Sequence, residues 1–231
     1  MTDNITAIVP AAGVGRRMQA DRPKQYLPLA GKTLLQCTLE NLISHPSIVH
    51  IVVALHPEDP FFPSLDIASA NWLTTVAGGQ ERADSVLAAL QKVTDCDWVM
   101  VHDAARPCVL HDDIDRLLAL CETGEDGGIL AYPVRDTMKR AQQANGSRVS
   151  HTEPRQGLWH ALTPQLFRRQ YLLQALTQAL ASGVEVTDEA SAIEWYGGSV
   201  KLVESSASNI KVTRPEDLAL AEFYLTQQRT V

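Results

Sequence analysis

No apolar run in the sequence approaches the ~20 residues that a membrane span requires. The longest, Ile48 to Leu55, is short and carries His50 inside it. No export signal is expected from the start of the sequence: Met1 to Thr6 is polar, holds Asp3, and lacks a basic start followed by an apolar stretch. The four cysteines, Cys37, Cys96, Cys108 and Cys121, are scattered, with neither CxxC nor a Cys/His metal spacing. They are expected to be reduced thiols acting as small buried hydrophobes in a cytoplasmic protein, with no protein-held metal. There is no basic excess either. The formal net charge of −7 argues against a general nucleic-acid binder. Internal repeats, low-complexity segments and domain linkers are absent.

What remains is 231 residues, 45% of them hydrophobic, enough for one sheet domain over 1–231 with an excursion. Apolar runs alternate with amphipathic stretches. Strands are expected at Ile5–Val9, Ile48–Leu55, Trp72–Val76, Trp98–Val101 and Gly128–Val134. Helices are expected at Thr33–Ser44, Glu81–Val93 and Asp112–Cys121. Thr163-Pro164 reads as an N-cap with proline at the first helical position. Thr213-Arg-Pro-Glu216 reads as a capping box, opening a helix that buries Leu218, Ala221, Phe223 and Leu225. Strand–helix alternation with short connections predicts an α/β fold with a mostly parallel sheet covered on both faces. Such sheets bind ligands at the carboxyl ends of their strands, here the loops after Val9, Val76 and Val101.

Residues 137–157 break the pattern. They are polar, carry Lys139, Arg140, Arg148 and Arg155, and place Asn145-Gly146 near the middle. Asn-Gly between extended runs signals a hairpin, but the arms have almost no apolar side to bury. Composition alone favours a floppy loop; the alternative is an arm supported by a second subunit.

Three loops carry chemistry. Between Gly13 and Lys24, Arg16, Arg17, Arg22 and Lys24 face only Asp21. A local basic cluster on an acidic chain suits a small anion. Small residues from Ala11 to Gly15 let backbone N–H groups approach a phosphate. The loop is not a GxGxxG fingerprint, since Met18 stands where glycine is needed, and no GK[ST] follows for a Walker A loop. It can equally be a glycine turn with solvated arginines. Gly78-Gly79 opens a helix whose free N–H groups can meet a base or phosphate, or is a plain turn. Asp103, at the end of a strand, can serve a metal–nucleotide or a hydroxyl, or simply pair with Arg106. His102 is either a base or structural.

PAAGxGxRM with a later PK, GGxxRxxSV and HDAARP together resemble the 2-C-methyl-D-erythritol 4-phosphate cytidylyltransferases. So do Val134 to Lys139, Leu158-Trp159, Leu162 to Gln165, Thr187-Asp188-Glu189 and Asn209 to Thr213, in order along the chain. The resemblance implies a Rossmann-like nucleotidyltransferase sheet with a hairpin arm at 137–157 that interlocks a homodimer. It implies attack by a methylerythritol phosphate oxygen on the α-phosphorus of CTP, with Mg²⁺ carried mainly by the nucleotide phosphates. Arg17 and Lys24 would neutralise the triphosphate, while Arg155 and Lys211 aim the acceptor phosphate. Ala11, Ala12, Gly13, Gly79, Gln80, Ser85 and Ala104 would contact the nucleotide. Asp103, Arg106, Thr137 and Thr187 would line the acceptor side, Thr137 and Arg155 arriving from the partner's arm. A cytidylyltransferase for another polyol phosphate, such as ribitol 5-phosphate, would share the N-terminal loops. An NTP:sugar-1-phosphate transferase is a more distant relative, and a non-catalytic nucleotide-binding domain would lack the cations.

Overall fold

The β-branched run Ile48–Leu55 forms the long strand β4, and β1 (Ile5–Pro10) lies parallel beside it. The structure, a computed structural model, describes residues 4–13 and 22–228. Between these strands run β2 (Pro28–Leu29), β3 (Lys32–Thr33) and helix α1 (Leu34–Ile43). Thr33 caps α1 by accepting the Gln36 N–H at 3.2 Å. Leu34, Leu35, Leu39 and Leu42 of α1 are all completely buried, each contributing about 2 kcal/mol.

The chain continues through a short 3₁₀ turn, β5 (Leu73–Ala77), α2 (Arg82–Leu90), β6 (Trp98–Val101), α3 (His111–Leu118) and β7 (Gly127–Pro133). After β7 come β8 (Met138–Ala141), β9 (Val149–Glu153), β10 (Trp159–Arg168), α4 (Arg169–Ala181), α5 (Glu189–Trp195), β11 (Lys201–Glu204) and α6 (Pro215–Gln228). Seven strands form one sheet in the order β11-β7-β10-β6-β1-β4-β5. All neighbours are parallel except β10, which runs antiparallel to both β6 and β7.

Side chains alternate faces along a strand, so both faces need cover. Ala7, Val9, Ile51, Val53 and Met100 pack with Leu35, Leu39, Ile114 and Leu117 on one side. Ile8, Val52, Ala54, Val99 and Val101 pack with Val86, Leu90, Leu172, Leu176 and Ile193 on the other. A smaller cluster joins α6 to α1 through Leu34, Cys37, Cys108, Ala221 and Leu225. Cys37 and Cys108 are buried and the other two cysteines half-buried, and none of the four is in a disulfide. Among the described residues no helix is long and apolar enough to cross a membrane.

Three local expectations change. Thr163-Pro164 lies inside β10, not at a helix start, and its peptide is cis. Pairing jumps from Ala161↔Ala131 to Gln165↔Ile129, so the proline sits in a bulge, where its missing N–H breaks no ladder bond. In α6 the capping acid is Asp217 rather than Glu216. The helix starts at Pro215, which brings Asp217 within 2.8 Å of both the Thr213 and Arg214 N–H groups. Phe223 is 56% exposed, while Ala221 and Leu225 take the buried face.

Residues 138–153 form an antiparallel ladder rather than a structureless loop. The turn runs from Gln143 to Gly146, whose N–H donates to the Gln143 carbonyl at 2.8 Å. Polar pairs tie the strands: Lys139 to Thr152 at 2.7 Å and Arg140 to Glu153 at 2.8 Å.

Candidate active site

The ends of β1, β5 and β6 converge at one edge of the sheet. A cleft of about 330 Å³ opens there, lined by Ala11–Gly13, Lys24, Gly79–Arg82, Ser85, Asp103–Ala105 and Lys211. Gly78 is required by close approach: a Cβ there would lie 2.6 Å from Ala12 Cβ and 2.9 Å from Ser85 Oγ. The two glycine-bearing loops therefore touch. The Ser85 hydroxyl serves its own loop, accepting the Gly79 N–H at 3.1 Å and donating to the Glu81 carbonyl at 3.2 Å.

Gln25 is buried and donates from Nε2 to the carbonyls of Ala11 at 2.8 Å and Gly13 at 3.1 Å. It ties the loop after β1 to the turn Lys24–Tyr26. Tyr26 anchors the same turn by donating to Asp59 at 2.6 Å. Lys24 is thus mounted on a fixed turn, and its ammonium reaches across to the Val212 carbonyl at 3.0 Å.

A second cleft of about 200 Å³ adjoins the first, lined by Arg82, Asp103, Arg106, Thr163, Gln165, Thr187, Asp188 and Lys211, among others. Arg82, Asp103 and Lys211 belong to both linings. The Asp103 carboxylate accepts from Arg82 Nε at 3.2 Å and Arg106 Nε at 3.3 Å, and pairs with Lys211 Nζ at 2.8 Å. Burial alone would raise its pKa, but Arg82, Lys211 and Arg106 outweigh that and hold the carboxyl well below the usual range. Arg82 also makes a two-pronged pair with the fully buried Glu189, at 2.7 and 3.0 Å. Arg82, Arg106 and Lys211 thus meet Asp103 and Glu189 at the boundary, with Lys24 across the larger cleft.

His102 is not a free base. Its Nε2 lies 2.9 Å from the Arg106 carbonyl, which can only accept, so Nε2 carries the proton. Nδ1 then accepts from the Thr163 hydroxyl at 3.1 Å, while that hydroxyl accepts the Asp103 N–H at 3.0 Å. These bonds also occupy the Thr163 side chain expected to cap a helix. Burial pushes the His102 pKa down to about 4. The unfolded chain binds a proton near pH 6.5 that the folded chain refuses, so the contribution is full above pH 6.5 and lost as pH falls toward 4. The loss is roughly 3 kcal/mol. Urea unfolding of the protein and of His102→Gln between pH 7.5 and 4.5 checks this: the difference between them should shift across that window. A constant difference would mean that the folded histidine titrates normally.

Of the expected residues, Ala11, Ala12, Gly13, Lys24, Gly79, Gln80, Ser85, Ala104, Asp103 and Lys211 meet in the larger cleft. Arg106 and Thr187 meet Asp103 and Lys211 in the smaller one. Thr137 and Arg155 are exposed at the arm and line neither cleft; Arg155 donates to the Arg135 carbonyl. Arg17 lies outside the described residues. Arg82 and Glu189 sit within the quoted motifs but were given no role; their signal was a charged residue fixed beside a glycine turn and beside Thr187-Asp188.

A family model described as "IspD: 2-C-methyl-D-erythritol 4-phosphate cytidylyltransferase" matches residues 5–227. A protein of that name from Pseudoalteromonas atlantica is 60% identical over 226 residues, covering 98% of this chain and 97% of the relative. One from Escherichia coli is 56% identical over 224 residues, covering 97% and 94%. The crystal structure of the Francisella tularensis 2-C-methyl-D-erythritol 4-phosphate cytidylyltransferase superposes with a TM-score of 0.84 at 37% identity, covering 96% of this chain and all of that one.

Proposed function

The chain belongs to the 2-C-methyl-D-erythritol 4-phosphate cytidylyltransferase family, and on that premise we propose that the larger cleft takes CTP and the smaller one the acceptor. The enzyme transfers the cytidylyl group of CTP to 2-C-methyl-D-erythritol 4-phosphate, releasing pyrophosphate, in isoprenoid biosynthesis. The observation that carries the assignment of clefts is their shared wall of Arg82, Asp103 and Lys211. Two ligands on either side of it bring their phosphates to one boundary.

A phosphate monoester is largely ionised at neutral pH, its second pKa being about 6. Its oxygen attacks the α-phosphorus directly. The new P–O bond forms as the bond to the β-phosphate breaks, and pyrophosphate leaves with the electron pair. No proton need move, which agrees with a site whose histidine has both nitrogens engaged. The demand is electrostatic: two polyanions must meet, and charge grows on the leaving group. Lys24 faces the triphosphate, a role that the family resemblance also gives to Arg17; Lys211 faces the acceptor phosphate; Arg106 and Thr187 complete its pocket. Backbone of Ala11–Gly13 and Gly79–Gln80 approaches the nucleotide.

Among the described residues few carboxylates line the larger cleft: Glu81, and Asp103, which three cations already engage. This fits Mg²⁺ held mainly by the nucleotide phosphates, where it would neutralise charge on the leaving group. No step is assigned to a protein-bound metal. A cytoplasmic location accords with four cysteines outside any disulfide.

The arm at 137–157 is assigned to a homodimer, with Thr137 and Arg155 entering the partner's acceptor pocket. Arg155→Ala should raise KM for the acceptor about 10-fold or more, since hydrogen bonds to charged groups are strong. Assayed at acceptor well below KM, where Arg155→Ala is itself impaired, co-expressing Arg155→Ala with Lys24→Ala should restore up to about a quarter of wild-type activity, because half the dimers are mixed and each holds one intact site. No recovery would keep Arg155 within its own subunit. Comparing pyrophosphate release with methylerythritol 4-phosphate and ribitol 5-phosphate tests the acceptor: release with the second alone would overturn the assignment.

A further inference from the structure

Arg82 and Glu189 lie 107 positions apart, on the first residues of α2 and α5. Glu189 has no exposed surface, yet its carboxyl meets both terminal nitrogens of Arg82. Arg82 Nε is held from the other side by Asp103. The guanidinium is thus gripped at all three nitrogens, and its plane is fixed. Three of its five N–H groups are engaged among the described residues. The other two belong to a side chain that is still 29% exposed and lines both clefts. Burying a carboxylate is a costly way to join two helices. Both helices already pack on α4 within one apolar cluster, through Val86 and Leu90 of α2, Leu172 and Leu176 of α4, and Ala190 and Ile193 of α5.

We infer that Glu189 is a positioning residue that holds Arg82 at the boundary of the two clefts, as a cation for the phosphoryl group in transfer. The inference rests on the cytidylyl-transfer reading. A guanidinium fixed before the substrates arrive needs no reorganisation as charge develops. Without Glu189, Arg82 would keep only its Nε contact to Asp103, and its two terminal nitrogens would be free to turn toward a ground-state phosphate. The effect therefore belongs in kcat more than in KM for CTP.

The test is a double-variant cycle read by steady-state kinetics, with a thermal melt for each protein. Arg82→Gln should lower kcat about 10²-fold, as for loss of one preorganised donor. Glu189→Gln should lower it about 10-fold or more in the parent. In the Arg82→Gln background Glu189→Gln should have no further effect, because its role passes through the arginine. Glu189→Asp keeps the charge, withdraws the carboxylate by one methylene and cannot hold both nitrogens; it carries the same test if Glu189→Gln folds poorly. A Glu189→Asp enzyme with parental kcat, or an equal loss from Glu189→Gln in both backgrounds, would overturn the inference and leave only a structural pair. Failure of the parent itself to release pyrophosphate would instead sink the functional reading.

Discussion

Lys24→Ala is expected to lower kcat about 10³-fold, the scale on which a cation clamping a transferred phosphoryl group acts. That corresponds to about 4 kcal/mol of transition-state stabilisation. The reason is geometric as well as electrostatic. Lys24 stands on a turn fixed through Gln25 to the carbonyls of Ala11 and Gly13, and through Tyr26 to Asp59. Its ammonium spans the cleft to the Val212 carbonyl. A phosphate entering there replaces a neutral acceptor with an anionic one, which is the stronger bond. Lys24 itself is only half-buried, so its removal should leave the melting temperature within a few degrees. Rapid-quench turnover with saturating CTP separates chemistry from binding. Turnover near the wild-type value would remove Lys24 from the transition state.

Asp103→Asn is expected to have the largest effect on stability. The amide keeps the shape and loses the charge. Arg106 is 7% exposed and would keep only its bond to the Asn209 carbonyl at 2.8 Å. Breaking a buried ion pair from one side costs about 3 kcal/mol or more. For a chain of this size that is a fall of roughly 6–12 °C in melting temperature. The pH dependence gives the sign. The folded carboxyl titrates well below its ordinary value, so its contribution is complete above about pH 3.9 and is lost as pH falls below that. The gap between the denaturation midpoints of the two proteins should be widest above about pH 4 and narrow steadily as pH falls below that, without closing until the folded carboxyl itself protonates. A gap that stays constant as pH falls from about 5 to 2 would trace the loss to packing rather than to charge.

Much of this was legible in the sequence because it is local. Ile48–Leu55 reads as a strand and forms one, Thr33–Ser44 reads as a helix and holds α1 with Thr33 as its cap, and the loops after β1, β5 and β6 carry the odd chemistry. The failures share a cause. Thr163-Pro164 has the composition of a cap, but its hydroxyl is claimed by His102 and Asp103 across some 60 residues. Phe223 fits an apolar stripe, yet the helix turns Ala221 and Leu225 inward instead. The Arg82–Glu189 pair was invisible for the same reason: no periodicity links charges on the first turns of two distant helices. Long-range pairing is decided by the packed sheet, not by the neighbours in the chain.

The antiparallel strand β10 has a consequence for synthesis. It enters the middle of the sheet, between β6 and β7, although it follows both in the chain. Until residues up to Arg168 have left the ribosome, β6 and β7 each present a bare hydrogen-bonding edge, and the two halves of the sheet have nothing to join them. The nascent chain must therefore hold an open, apolar half-sheet while the polar arm is still being made. A product truncated just after the arm keeps those edges exposed and should aggregate rather than fold as a smaller nucleotide-binding unit.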